Sequence, residues 1–268
     1  MDTDKLKYHF EEIYKACGNT FSLGCGSYLF DGLSYRYDKK QYYNRQKILY
    51  DLAKESSFAL EIGVYMGHSL LIMLLANPNI SIVGIDIDEK YSDPAIHYLR
   101  KNFRNAKITF IKGNSLDILP NLIKKDMSFD LFHIDGNHEN SFITKEFQYC
   151  TKLVKKNKMT LVLDDISSCI PLKNNILKNF KSEFFISSSV NASFKINVES
   201  INNNSFKKFK AQHLKDELIL FPKRKIIQFL RFVVFSLIYK LTPNKIIKLM
   251  KKDLYLHNLI EKIKSKLI

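Results

Sequence analysis

The sequence predicts an α/β fold: a doubly wound, mostly parallel seven-stranded sheet with helices on both faces, an N-terminal helical and loop segment before it and a basic helical tail after it. Two observations carry this. Between residues 57 and 165, five short apolar runs alternate with stretches of helical length, which is how consecutive βαβ units read. The runs are apolar almost throughout rather than at every second residue, as expected of strands covered on both faces.

Taken in order, residues 1–56 precede the sheet and should cover its open edge. "MDTDKLKYHFEEIYK" is charged throughout and lacks the apolar stretch of a secretory signal. "GNTFSLGCGSYLFDGLSYRYDKKQYY", residues 18–43, is rich in Gly and Tyr, a composition that suits either a substrate lid with aromatic contacts or a surface loop packed on the core. "YNRQKILYDLAKES" then reads as an amphipathic helix leading into the first strand.

The strands expected next are "SFALEIG" (57–63), "ISIVGID" (80–86), "KITFIKG" (107–113), "FDLFHID" (129–135) and "MTLVLDD" (159–165). Between them lie helical stretches beginning at His68, Asp93, Leu116 and Asn140. "CIPLKNNILKNF" continues as a helix, and "EFFISSS" and "DELILFP" are expected to close the sheet. The segment from Asn191 to Lys210 has no clear assignment. This divides the chain into an N-terminal segment (1–56), a sheet domain (57–221) and a tail (222–268).

The net charge of +15 belongs to the tail. Residues 205–268 hold 16 Lys or Arg against four acids, leaving 26 against 23 for residues 1–204. The apolar run from Ile226 to Leu241 has sixteen residues and is interrupted by Gln228 and Arg231, short of the roughly twenty needed to span a bilayer. Its helical period fits a homodimer or helix-packing face, a peripheral membrane contact with anionic lipid, or, less well, nucleic acid. Cys17, Cys25, Cys150 and Cys169 show no C-x-x-C spacing, so a reducing, cytoplasmic location is expected, with a membrane-peripheral alternative.

Ligands of such sheets bind outside the carboxyl ends of the strands. The first strand ends "LEIGVYMGHSLL": Glu61 precedes a turn with Gly63 and Gly67, and Ser69 opens the helix. G-x-x-x-G is not the dinucleotide pattern, and a carboxylate before the turn suits a ligand carrying an ammonium or sulfonium. Asp86, at the end of the second strand, stands where an acid accepting ribose hydroxyls is expected. The fourth strand runs into "HIDGNH" and the fifth into "DD", which crowds carboxylates at neighbouring strand ends. Each residue also has a plainer reading. Glu61 and Gly63 fit any βα turn, Asp164 and Asp165 a helix cap, His138 a solvated loop, and His133 a packed, hydrogen-bonded core position.

"EIGVYMGHS", "GIDID", "GNSLDILPNL", "HIDGNH" and "LVLDD", in this order and spacing, resemble the class I S-adenosylmethionine-dependent methyltransferases, and among them the metal-dependent O-methyltransferases of catechol and antibiotic-sugar type. The resemblance covers residues 57–170. It implies that Glu61, Gly63, Tyr65, Gly67 and Ser69 line the methionine end of the cofactor, Asp86 holds the ribose and Ser115 lies near the adenine. Asp135 would border the cofactor and, with Asp164 and Asp165, hold Mg²⁺. His138 occupies the place of the general base, where the catechol enzymes carry a lysine. The implied reaction is methyl transfer to a hydroxyl of a small molecule or sugar. An RNA methyltransferase and a non-catalytic cofactor-binding protein are the alternatives.

Overall fold

The computed structural model describes residues 1–22, 28, 40–164, 169–186 and 192–197, with the backbone alone at 40–42, 185, 186 and 192. All lie in the first of two compact units, Met1–His213. The tail and "DELILFP" fall outside the described residues.

The chain opens with α1 (Thr3–Ala16). Asp2 caps it by accepting the Asp4 and Lys5 N–H groups at 3.1 and 3.0 Å, and Leu6, His9, Phe10 and Ile13 form its buried stripe, the spacing of one helical face. Next come α2 (Lys40–Lys54), β1 (Phe58–Ile62), α3 (His68–Ala76), β2 (Ser81–Asp86), α4 (Ser92–Asn102) and β3 (Lys107–Lys112). They are followed by α5 (Ser115–Lys124), β4 (Leu131–Ile134), α6 (Asn140–Cys150), β5 (Lys158–Leu163), α7 (Ile170–Asn179), β6 (Ser182–Ile186) and β7 (Ala192–Asn197).

The sheet has seven strands in the order β3-β2-β1-β4-β5-β7-β6. β1 to β5 pair in parallel, whereas β7 runs antiparallel to both β5 and β6. The closing strand is thus Ala192–Asn197, inside the segment that the sequence left unassigned. "ASFKIN" is short and set among polar residues, so its apolar signal is two side chains, Phe194 and Ile196, both buried.

Two cores flank the sheet. Ala59, Ile82, Leu131 and Val162 pack under α1 to α4. Leu60, Ile62, Phe132, Ile134, Leu161 and Leu163 face the other way, under α5 to α7. The N-terminal helices therefore belong to the covering layer: α1 packs on α3 and α4, and α2 on α3. This is why α3 is buried from His68 to Leu74 without an amphipathic pattern. Cys17, Cys150 and Cys169 are buried free thiols. No helix among the described residues is long and apolar enough to cross a membrane.

β1 neighbours both β2 and β4, so the chain reverses direction across the sheet between β1 and β4. In sheets with such a reversal, ligands bind outside the carboxyl ends of the strands on either side of it.

Candidate functional site

The register places the site. Glu61 pairs with His133 across β1 and β4, and His133 with Val162 across β4 and β5. Side chains two apart on a strand share a face. Glu61 and His133 therefore project to the side of Ala59, Leu131 and Val162, under α1 to α4. The ladder continues past the strand ends through Asp135 N–H to the Ile62 carbonyl (2.8 Å) and Asp164 N–H to the Ile134 carbonyl (3.0 Å). Asp135 and Asp164 reach the same corner.

Glu61 is fully buried. Its Oε1 accepts the Ser69 hydroxyl and lies 3.0 Å from His133 Nδ1; its Oε2 is buried without a hydrogen-bond partner. A buried carboxylate oxygen left bare costs free energy unless a donor or cation meets it. Burial works against charging the His133 ring, but the Glu61 carboxylate outweighs it and leaves the ring above its ordinary value. His133 Nε2 lies 2.7 Å from the Tyr28 hydroxyl. Burial, helped by the Asp164 charge, holds that phenol well above its usual range. His133 is the packed, hydrogen-bonded core histidine that the sequence suggested.

Tyr28, from the connection between α1 and α2, is buried. Its carbonyl accepts Gln46 Nε2 at 3.0 Å, and the Arg45 guanidinium lies over its ring at 4.8 Å. Arg45 Nη2 donates to both oxygens of Asp164 at 2.9 Å each. Asp135 is hydrogen-bonded to Asp164, and its carboxyl is pushed well above the ordinary carboxylate range by burial first, then by the charges of Asp164 and Glu61, with Arg45 pulling it back.

The turn glycines each meet a backbone requirement of their own. A Cβ on Gly63, at φ +88°, would stand 2.2 Å from the Asp135 carbonyl oxygen, so this glycine lets the β1 and β4 tips touch. Gly67 takes the left-handed N-cap position of α3 at φ +66°. Tyr65 holds φ +46° without being glycine, a strained backbone of the kind found at functional turns. Asp86 Oδ2 accepts the Val64 and Tyr65 N–H groups at 2.8 and 2.7 Å, and its Oδ1 accepts Asp88 N–H at 3.0 Å. A carboxylate offers about four acceptor positions, so room for a further donor remains.

At the far side of the β4 loop, Ser115 donates to Glu146 Oε1 at 2.5 Å. Glu146 is a residue that the sequence reading missed. Burial lifts its carboxyl to about 7, against the pull of the Ser115 hydrogen bond and the nearby His138; its Oε2 is buried without a hydrogen-bond partner. A single acid at a buried position on one turn of an otherwise amphipathic helix is the faint signal that could have found it. His138 itself is exposed.

Glu61, Gly63, Tyr65, Gly67, Ser69, Asp86, Asp135 and Asp164 thus stand at or just after the carboxyl ends of neighbouring strands, while Ser115 meets Glu146, near His138. Of the acids expected to hold Mg²⁺, Asp164 meets the buried Arg45 guanidinium at 2.9 Å from each oxygen, and Asp165 lies outside the described residues. Among the described residues, no three His, Cys, Asp or Glu side chains group as a metal site. The bare Glu61 oxygen, by contrast, fits a ligand cation.

Residues 37–167 match the sequence model of a family described as O-methyltransferase. A putative caffeoyl-CoA O-methyltransferase of Arabidopsis thaliana is 33% identical over 97 residues, covering 36% of this chain and 41% of that protein. The chain spans less than half of the length of curated relatives that it matches. Among solved structures, cofactor-bound Rv0187 from MTB shares the fold at TM-score 0.53 and 16% identity, over 71% of this chain and 89% of that one. An O-methyltransferase from Bacillus cereus in complex with SAH does so at 0.51 and 16%, over 70% and 89%.

Proposed function

We infer from the match of residues 37–167 to the O-methyltransferase family model that the chain is an S-adenosylmethionine-dependent O-methyltransferase acting on a hydroxyl of a small molecule or sugar. The observation that carries this reading is Glu61 Oε2, a buried carboxylate oxygen with no partner beside the Gly63–Gly67 turn.

The cofactor supplies an electrophilic methyl on a sulfonium. Glu61 offers its free oxygen to the cationic amino-acid end, while Ser69 and His133 hold its other oxygen in place. Asp86 accepts from the ribose, and its existing bonds to Val64 and Tyr65 fix the carboxylate and the turn together. Ser115 and Glu146 border the adenine. His138, on an unprotonated ring nitrogen, would take the proton of the acceptor hydroxyl as that oxygen receives the methyl. A positioned base contributes about 10²–10⁴ in rate, and alignment of oxygen, carbon and sulfur contributes the rest. No step is routed through the Mg²⁺ that the resemblance implies; Asp164, one of its expected ligands, meets the Arg45 guanidinium.

Calorimetry with S-adenosylmethionine tests the reading. The wild type should bind, and Glu61→Gln, which removes the charge but keeps the shape, should weaken binding about tenfold or more, as loss of a hydrogen bond to a charged group would. A panel of catechols, caffeoyl thioesters and sugars should then reveal methyl uptake that His138→Ala lowers while cofactor affinity stays near that of the wild type. Equal affinity in Glu61→Gln and wild type would remove the assignment.

A further inference from the structure

The acidic corner already contains a cation. Asp135 and Asp164 stand at the tips of neighbouring parallel strands, where two carboxylates repel unless a positive charge meets them. Arg45 comes from α2, in the layer that covers this face of the sheet, and reaches both oxygens of Asp164 from one nitrogen. Both side chains are nearly closed off from water, at 7% and 8% exposure. The guanidinium is held a second time by the Tyr28 ring beneath it, and Tyr28 is fixed through Gln46 and His133. Arg45 is thus clamped from two directions by groups that are themselves anchored.

We propose that Arg45 is the resident cation of this site, standing where related enzymes would place a divalent metal, and that methyl transfer by this chain proceeds without one; this deepens the O-methyltransferase reading and rests on it. Mg²⁺ requires near-octahedral oxygen ligands at about 2.0–2.1 Å. Seating it on Asp164 would set a dication against a buried guanidinium that already lies 2.9 Å from both oxygens, and like charges so close repel. A guanidinium is a permanent charge at any working pH and cannot be chelated away. Arg45 is a positioning residue: it sets the orientation of Asp164 and, through it, of Asp135, at the edge of the acceptor space.

The test is Mn²⁺ binding, followed by electron paramagnetic resonance and equilibrium dialysis on the full chain. The wild type should bind no Mn²⁺ at millimolar free ion. Arg45→Met, which keeps an apolar stem over Tyr28, should create one Mn²⁺ site, and Arg45→Met combined with Asp164→Asn should lose it again. Cofactor binding by calorimetry should be the same in EDTA and in excess Mg²⁺. A wild-type Mn²⁺ site that Asp164→Asn abolishes would overturn the proposal, and the wild-type measurement stands even if Arg45→Met fails to fold. If the wild type binds neither Mn²⁺ nor S-adenosylmethionine, the methyltransferase reading fails while the assignment of Arg45 as the cation survives.

Discussion

Glu146 shows how one side chain sets a pH dependence. Its carboxyl titrates near 7 in the folded chain and near 4.5 when unfolded. The folded state therefore keeps a proton between these values that the unfolded state has lost, and stability falls as pH rises through that window. Relative to Glu146→Gln, the wild type should lose up to about 3 kcal/mol between pH 4.5 and 7. Thermal melts of both proteins at several pH values check this, and parallel curves would contradict it. His68 acts in the opposite sense. Burial against Phe10, ring edge to ring face at 4.4 Å, lowers its pKa to about 3. The unfolded ring takes up a proton below about 6.5 while the folded one does not, so the stability that His68 contributes is present above 6.5 and drains away as pH falls toward 3. The two groups together favour a maximum at intermediate pH.

Among the elements, the meeting of β1 and β4 carries the site. Glu61 and His133 are register partners, the Gly63 turn lies against the Asp135 carbonyl, and Asp130 ties the strand starts by accepting the Ser57 and Phe58 N–H groups at 3.1 Å. Gly63→Ala would add a Cβ into backbone that has no way to rotate aside, at a φ that alanine disfavours. A loss of about 3 kcal/mol or more is expected, read as a lower urea midpoint. Wild-type stability in this variant would mean that the two tips are further apart than described. The strand β7, paired on both sides between β5 and β6, is the one that local pattern did not supply. Its place is decided by pairing with β5 over six residues, Lys158 to Leu163 against Asn197 to Ala192, and pairing partners leave no mark on a strand's own sequence.

Over the whole molecule, stability rests on two cores separated by the sheet. Phe132 lies in the centre of the second, fully buried beside Phe129 with ring centroids 6.0 Å apart. Phe132→Ala should cost about 3–5 kcal/mol by leaving a cavity between the sheet and α5 to α7. Denaturant unfolding would show it as a lower midpoint with little change in slope. The opposite face is closed by α1 and α2, which bring Arg45 and Tyr28 to the carboxylates. The same layer thus completes the core and the site.

The order of strands and helices from residue 57 to 180, and the acids at the strand tips, followed from the sequence alone, because apolar runs, helical periods and turn glycines are local signals written within a few residues. The pairing of Arg45 with Asp164, 119 positions apart, and of Tyr28 with His133, 105 apart, came from tertiary structure only. Their distances are set by how α2 lies on the sheet, which no window of neighbouring residues encodes. The same holds for Ser115 and Glu146, on two helices that meet through packing. The chain's pattern could therefore say which charges crowd the strand ends, while the fold decided which of them are already answered and which buried oxygens, on Glu61 and Glu146, have no hydrogen-bond partner.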